Sequence, residues 1–196
     1  MEDRFHLIAV TDPIMSEDEP DKIIAVLKAG FWRVHLRHPG IDSGTVSRIL
    51  DSIPESMHER ITLHDSPELA MVYGTGLQLN SRISMLPHGW RPCKLSRSCH
   101  SLDEVRSSST CDYVTLSPVF DSISKPGYKG MYGFKGFTGD SFGGQCVIAM
   151  GGVTPDRFMD LKCHGFSGAA MLGAMGWERP ISIFKEHIKN MVCYNS

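Results

Sequence analysis

Eight short apolar runs recur along this chain with room for one helix or loop between each pair, and that alternation limits its folds more than any single motif. The runs are Phe5 to Val10, Val34 to Leu36, Arg60 to Leu63, Leu77 to Leu79, Cys93 to Leu95, Tyr113 to Leu116, Cys146 to Met150 and Gly168 to Leu172. Near-continuous apolar runs of this length read as parallel strands buried on both faces. Helical signals fall between them: Ile23 and Leu27 before a Gly30 stop, Val46, Ile49, Leu50 and Ile53 before Pro54, and Phe158 and Leu161 before a Gly165 stop. Trp177, Ile181, Phe184, Ile188 and Val192 form one apolar stripe suited to packing outside a sheet. Ser16 with Glu19 and Ser101 with Glu104 read as capping boxes, and Pro155 after Thr154 as a first helical residue. Eight βα units predict an α/β fold, a compact (β/α)8 TIM barrel over residues 1–196 as a single domain, near the lower size limit of ~200 residues for that fold. A doubly wound sheet is the alternative.

Charge and composition narrow the partners. A formal charge of −2, without a basic run interleaved with aromatics, argues against a nucleic-acid surface. No apolar stretch approaches the ~20 residues of a membrane span, and Met-Glu-Asp-Arg lacks a signal-peptide profile, so a cytoplasmic protein is expected. Cysteines 93, 99, 111, 146, 163 and 193 form no CxxC pair, which suggests neither a zinc motif nor a disulfide framework. Neither nucleic acid nor membrane is an expected partner; a homo-oligomer is allowed but not demanded.

Chemistry-bearing residues collect where the strands stop, which is where ligands lie in such folds. The sixth run ends in Ser117, Ser122, Ser124 and Lys125, residues suited to an anion. Residues 121–144 then carry seven glycines, five of them at a spacing of three, interleaved with Tyr128, Tyr132, Phe134 and Phe137, and read as a lid-like loop. Gly151 and Gly152 follow the seventh run and Gly173 the eighth, where barrel loops frequently hold a phosphate on backbone N–H groups.

Arg37 after the second strand, His64-Asp65-Ser66 after the third, Ser96 through Ser101 after the fifth, the block Asp112 to Lys125 and the glycine pair together resemble thiamine phosphate synthase and its TenI relatives over nearly the whole chain. The resemblance implies an enzyme of thiamine biosynthesis. It would be a transferase joining hydroxymethylpyrimidine diphosphate to thiazole phosphate, with magnesium, to give thiamine phosphate and pyrophosphate. By the same resemblance Arg37 and Lys125 hold the pyrophosphate, Ser98 bonds near it, Asp65 holds the metal, and Gly151, Gly152 and Gly173 take the thiazole phosphate. His64, His100, Ser122 and Ser124 are further candidate substrate contacts.

Several positions depart from the family. His64 stands where an Asn is usual, Ile83 where a second metal-binding Asp is expected, Pro39 where a Lys follows the Arg, and Ser117 where Gly is common. Arg82 is expected to supply positive charge where the metal would sit. The Gln and His that face the pyrimidine are exchanged, as His35 and Gln78, and are expected to meet one ligand from opposite walls; a buried pair satisfying each other is the alternative. His35, His64 and His100 with Asp65 also allow a zinc site. Cys99 is expected to be an inert thiol, since neighbours on an extended segment point apart. A TenI-like non-catalytic or regulatory binder of thiamine-related phosphates remains open beside the transferase. A thiazole tautomerase is less favoured, because Pro118 replaces its His.

Overall fold

Eight parallel strands close on themselves in chain order in the computed structural model, which describes residues 5–121 and 137–195. They are β1 (His6–Val10), β2 (Arg33–Leu36), β3 (Ile61–His64), β4 (Gly76–Leu79), β5 (Leu95–Cys99), β6 (Tyr113–Leu116), β7 (Val147–Met150) and β8 (Gly168–Met171). The seam is closed by β8 on β1, with His6 opposite Gly168 and Ala9 opposite Met171. The expected barrel is therefore formed, and the doubly wound alternative is not. Among the described residues no helix is long and apolar enough to cross a membrane.

The helices are α1 (Glu19–Ala29), α2 (Ser43–Asp51), α3 (Pro67–Tyr73), α4 (Leu102–Arg106), α5 (Phe158–Cys163) and α6 (Ile181–Cys193). Their ends follow local chemistry. Asp42 accepts from the Thr45 N–H at the start of α2, Ser101 does the same for Glu104 at α4, and Gly30 closes α1 in the left-handed region at φ 107°. Ser16 is not a cap: its hydroxyl donates to Asp18, the residue that precedes α1. Residues 80–94, between β4 and β5, form no helix, in keeping with Pro87, Gly89 and Pro92. Trp177 lies before α6 rather than on its stripe; its indole N–H donates to the Val10 carbonyl at 2.7 Å while its ring meets Phe184 at 5.1 Å. Phe184, Ile188 and Met191 of α6 are buried against the apolar shell that surrounds the barrel.

β5 differs most from expectation. It runs to Cys99, so Ser96 and Ser98 lie within the strand rather than after it. Likewise His64 is the last residue of β3. Hydroxyls and imidazoles sit in buried strands here because the barrel interior supplies them with partners.

Candidate active site at the carboxyl end of the barrel

Alternation along the strands sorts the barrel interior into two unlike halves. Ile8 and Val10 of β1, Ile148 of β7 and Ala170 of β8 form a separate apolar cluster that Tyr113 completes. The opposite arc, from β2 to β6, is polar. Near its base Arg33 donates to the Thr62 hydroxyl at 2.9 Å and to the carbonyls of Glu59 and Ile61. Gly76 leaves room for that guanidinium, since a Cβ there would lie 2.8 Å from it. Thr62 also meets the Tyr113 hydroxyl at 3.2 Å, which reaches His35 Nε2 at 2.6 Å. His35 Nδ1 then meets His64 Nε2 at 3.1 Å, so a continuous hydrogen-bonded chain climbs from the base to the mouth.

Above Arg33, the two imidazoles and the phenol of this chain are held neutral. Burial, then the neighbouring His64 and Arg33, keep His35 well below the usual imidazole range. Lost hydration, followed by the charge of Arg37, pushes His64 down to about 3. Burial raises the Tyr113 phenol. Gln78 belongs to a second network: its amide nitrogen donates to Ser98 Oγ at 2.8 Å and Thr115 Oγ1 at 3.1 Å, and its oxygen accepts from Ser96. His35 and Gln78 thus do not pair with each other. Nor do they face across opposite walls, because β3 alone separates their strands. Both arise on one side of the barrel.

At the mouth, Arg37 directly follows β2. Its N–H donates to Thr11 Oγ1 at 2.9 Å and its carbonyl accepts from the same hydroxyl at 3.3 Å, so the rim of β1 holds its backbone. The next residue, His38, sets Nε2 against Glu19 Oε1 at 2.7 Å, both side chains being buried. Burial opposes the imidazolium, but the hydrogen bond and charge of Glu19 more than offset it and raise the His38 pKa. Beyond β3, Asp65 sits in the left-handed region at φ 65°. Its Oδ1 accepts from Asn80 Nδ2 at 2.8 Å and Arg82 Nε at 3.0 Å, and its Oδ2 from the second nitrogen of the Arg82 fork at 2.5 Å. These donors, with the positive charge, outweigh partial burial and hold the carboxyl below its ordinary range.

Arg37, His64, Asp65 and Arg82 are accordingly brought together on three adjacent strand ends. Ser98 lies with Gln78 further round. His100 is exposed, donates Nδ1–H to the Ser117 carbonyl at 2.8 Å, and links the ends of β5 and β6. Gly151 and Gly152 follow β7, and Gly173 follows β8, on the apolar side of the ring. The glycine pair has a packing role: with φ of 91° and 62°, a Cβ on Gly152 would lie 2.1 Å from the Asp121 carbonyl oxygen. Chain 118–121 is bonded onto this turn, Val119 N–H to the Met150 carbonyl and Phe120 N–H to that of Gly151. Ser122, Ser124 and Lys125, with most of the glycine-rich segment, lie outside the described residues. The end of that segment packs Phe137 and Phe142 against Phe166.

The zinc arrangement does not form. His35 lies inside the barrel beneath His64, His100 follows β5 two strands further round, and among the described residues no three His, Cys, Asp or Glu groups gather to hold a metal ion. Cys99 is buried beside Ser108 at 3.7 Å, and burial raises its thiol, the opposite of what a nucleophile needs. Asn80, Thr62, Tyr113, Thr115 and the Glu19–His38 pair were not foreseeable from single motifs. The interior polar face was foreshadowed by residues two apart on β2, β3, β5 and β6: Arg33 and His35, Thr62 and His64, Ser96 and Ser98, Tyr113 and Thr115.

Comparison with known proteins agrees with this architecture. The family described as thiamine monophosphate synthase, TMP-TENI, matches residues 7–175. The thiamine-phosphate synthase of Chlamydia caviae is 26% identical over 193 residues, covering 88% of each chain. A thiamine phosphate pyrophosphorylase from Bacteroides thetaiotaomicron superposes with a TM-score of 0.79 at 28% identity, over 97% of each chain. One from Pyrococcus furiosus reaches 0.74 at 17% identity over 98% of each, a likeness of fold.

Proposed function

We propose, from the premise that this chain belongs to the TMP-TENI family of thiamine monophosphate synthases, that it joins hydroxymethylpyrimidine diphosphate to thiazole phosphate at the barrel mouth. In that reaction the bond from the pyrimidine methylene to the diphosphate breaks with its electron pair, which leaves on pyrophosphate. The thiazole nitrogen then gives its lone pair to the methylene carbon. The protein's part is to orient both molecules and to stabilise the departing negative charge.

Arg37 is the observation that carries this reading. Its backbone is fixed by Thr11, and its guanidinium has no ion-pair partner among the described residues, beside a His64 that stays neutral. Neutral His64, Gln78 and Ser98 offer the pyrimidine hydrogen-bonding groups without competing charge. The ends of β7 and β8, with Gly152 and Gly173, are the proposed seat of the thiazole phosphate, and Lys125 a further cation for the diphosphate. Magnesium does not fit the site as built, because the Asp65 oxygens already accept three N–H donors and, among the described residues, no three His, Cys, Asp or Glu groups gather around it.

That engagement of Asp65 and Arg82 also favours a second reading, a non-catalytic binder of thiamine-related phosphates. Incubating the purified protein with both substrates and magnesium, then measuring pyrophosphate and thiamine phosphate, separates the two. The transferase predicts both products in equal amounts. Absence of product together with tight thiamine phosphate binding selects the binder.

A further inference from the structure

We infer that Arg82, held in place by Asp65 and Asn80, takes the position of a divalent cation at this barrel mouth, so that pyrophosphate is gripped by Arg37 and Arg82 without a metal. The inference rests on the proposed pyrophosphate site and goes on to its electrostatics. Three features support it.

The first is how Asp65 is used. Magnesium demands oxygen ligands at about 2.0–2.1 Å in a near-octahedral set, and binds through one or more carboxylates. Asp65 instead accepts a two-pronged guanidinium, Nε on one oxygen and a terminal nitrogen on the other, plus the Asn80 amide. A cation approaching this carboxylate must displace a charged fork that matches its geometry.

The second is how the loop aims Arg82. Asn80 turns residues 80–83 back on themselves: its side-chain oxygen accepts from the N–H groups of Arg82 at 2.8 Å and Ile83 at 3.1 Å, and its own N–H donates to the Ile83 carbonyl at 3.0 Å. The same Asn80 amide then donates to Asp65. One side chain therefore closes the turn and docks it on the carboxylate, leaving Arg82 preorganised.

The third is placement. Leu36 pairs with Leu63 and His64 with Gln78, which sets Arg37, Asp65 and the Asn80 turn on three neighbouring strand ends. A guanidinium has five N–H donors. Two of those on Arg82 engage Asp65, and the side chain is 60% exposed, so the others face the solvent where an anion would sit. Arg37 stands on the other side of His64. Two guanidiniums flanking a neutral imidazole form a grip for a diphosphate, and Asp65 acts as a positioning residue for one of them.

The test is calorimetric titration of the full chain with inorganic pyrophosphate, once in EDTA and once in excess magnesium chloride. The native protein is expected to bind in EDTA at least as well as in magnesium. Arg82→Ala is expected to weaken binding in EDTA by about tenfold, the scale of one charge-assisted contact. Asp65→Asn is expected to leave the ratio of the two affinities unchanged, since its carboxylate holds an arginine. Native binding that requires magnesium, an Arg82→Ala protein that binds like native in EDTA, or a magnesium-specific loss in Asp65→Asn each overturns the inference while leaving the proposed reaction standing. Binding in neither buffer removes the pyrophosphate site, and the proposed reaction with it.

Discussion

Two histidines near the mouth respond to pH in opposite senses. His38 gains a carboxylate partner on folding, so its pKa is raised; its contribution is complete below the unfolded imidazole value of about 6.5 and is lost as pH rises through the raised value. His64 loses hydration and faces arginines, so its pKa falls to about 3, and His35 shifts the same way. Their contribution is present above about 6.5 and is lost as pH falls toward the depressed values, because the unfolded chain then binds protons that the folded one refuses. Thermal melting measured across pH should therefore show a maximum with two limbs. Glu19→Gln is expected to flatten the alkaline limb and leave the acid limb in place. An unaltered alkaline limb would show that the Glu19–His38 pair is not linked to folding. His38 follows Arg37 directly, so the same titration bears on the rigidity of the loop that presents that cation.

Elements carry a different kind of constraint, seen best where β7 ends. The Gly151-Gly152 pair is legible in the sequence as a strand-to-helix turn, but the chain that presses on it, residues 118–121, is thirty positions away and its approach is a tertiary fact. Gly152→Ala must place a Cβ against the Asp121 carbonyl in a left-handed backbone. A loss of at least about 2 kcal/mol is expected, read as a lower urea midpoint with unchanged slope. β5 shows the converse difficulty. Ser96-Arg97-Ser98 looks like loop because two serines and an arginine seldom fill a buried strand, and only the facing Gln78 and Thr115 make it one. Arg82 is intermediate: its charge is apparent from the sequence, but its docking on Asp65 depends on the Asn80 turn, which no spacing rule announces.

For the molecule as a whole, the eightfold alternation was legible because buried parallel strands leave apolar runs that need no partner to be recognised. The division of the barrel interior was not, since the polar inward residues of β2 to β6 acquire meaning only from their neighbours in the ring. Tyr113 joins the two halves, packing on Ile8 and Val10 while its hydroxyl serves His35 and Thr62. Tyr113→Phe keeps the packing and leaves buried polar groups unpaired, for an expected cost of about 1–3 kcal/mol in chemical denaturation. An equally stable variant would show that the hydrogen-bonded chain adds nothing to the fold. The seam between β8 and β1 has a consequence of its own in time. It joins segments from opposite ends of the described chain, and Trp177 bonds to Val10 across 167 positions. As the chain leaves the ribosome, β1 keeps one edge bare until β8 has followed it. Until then β1 presents an open strand edge, the kind of backbone surface on which another chain can pair.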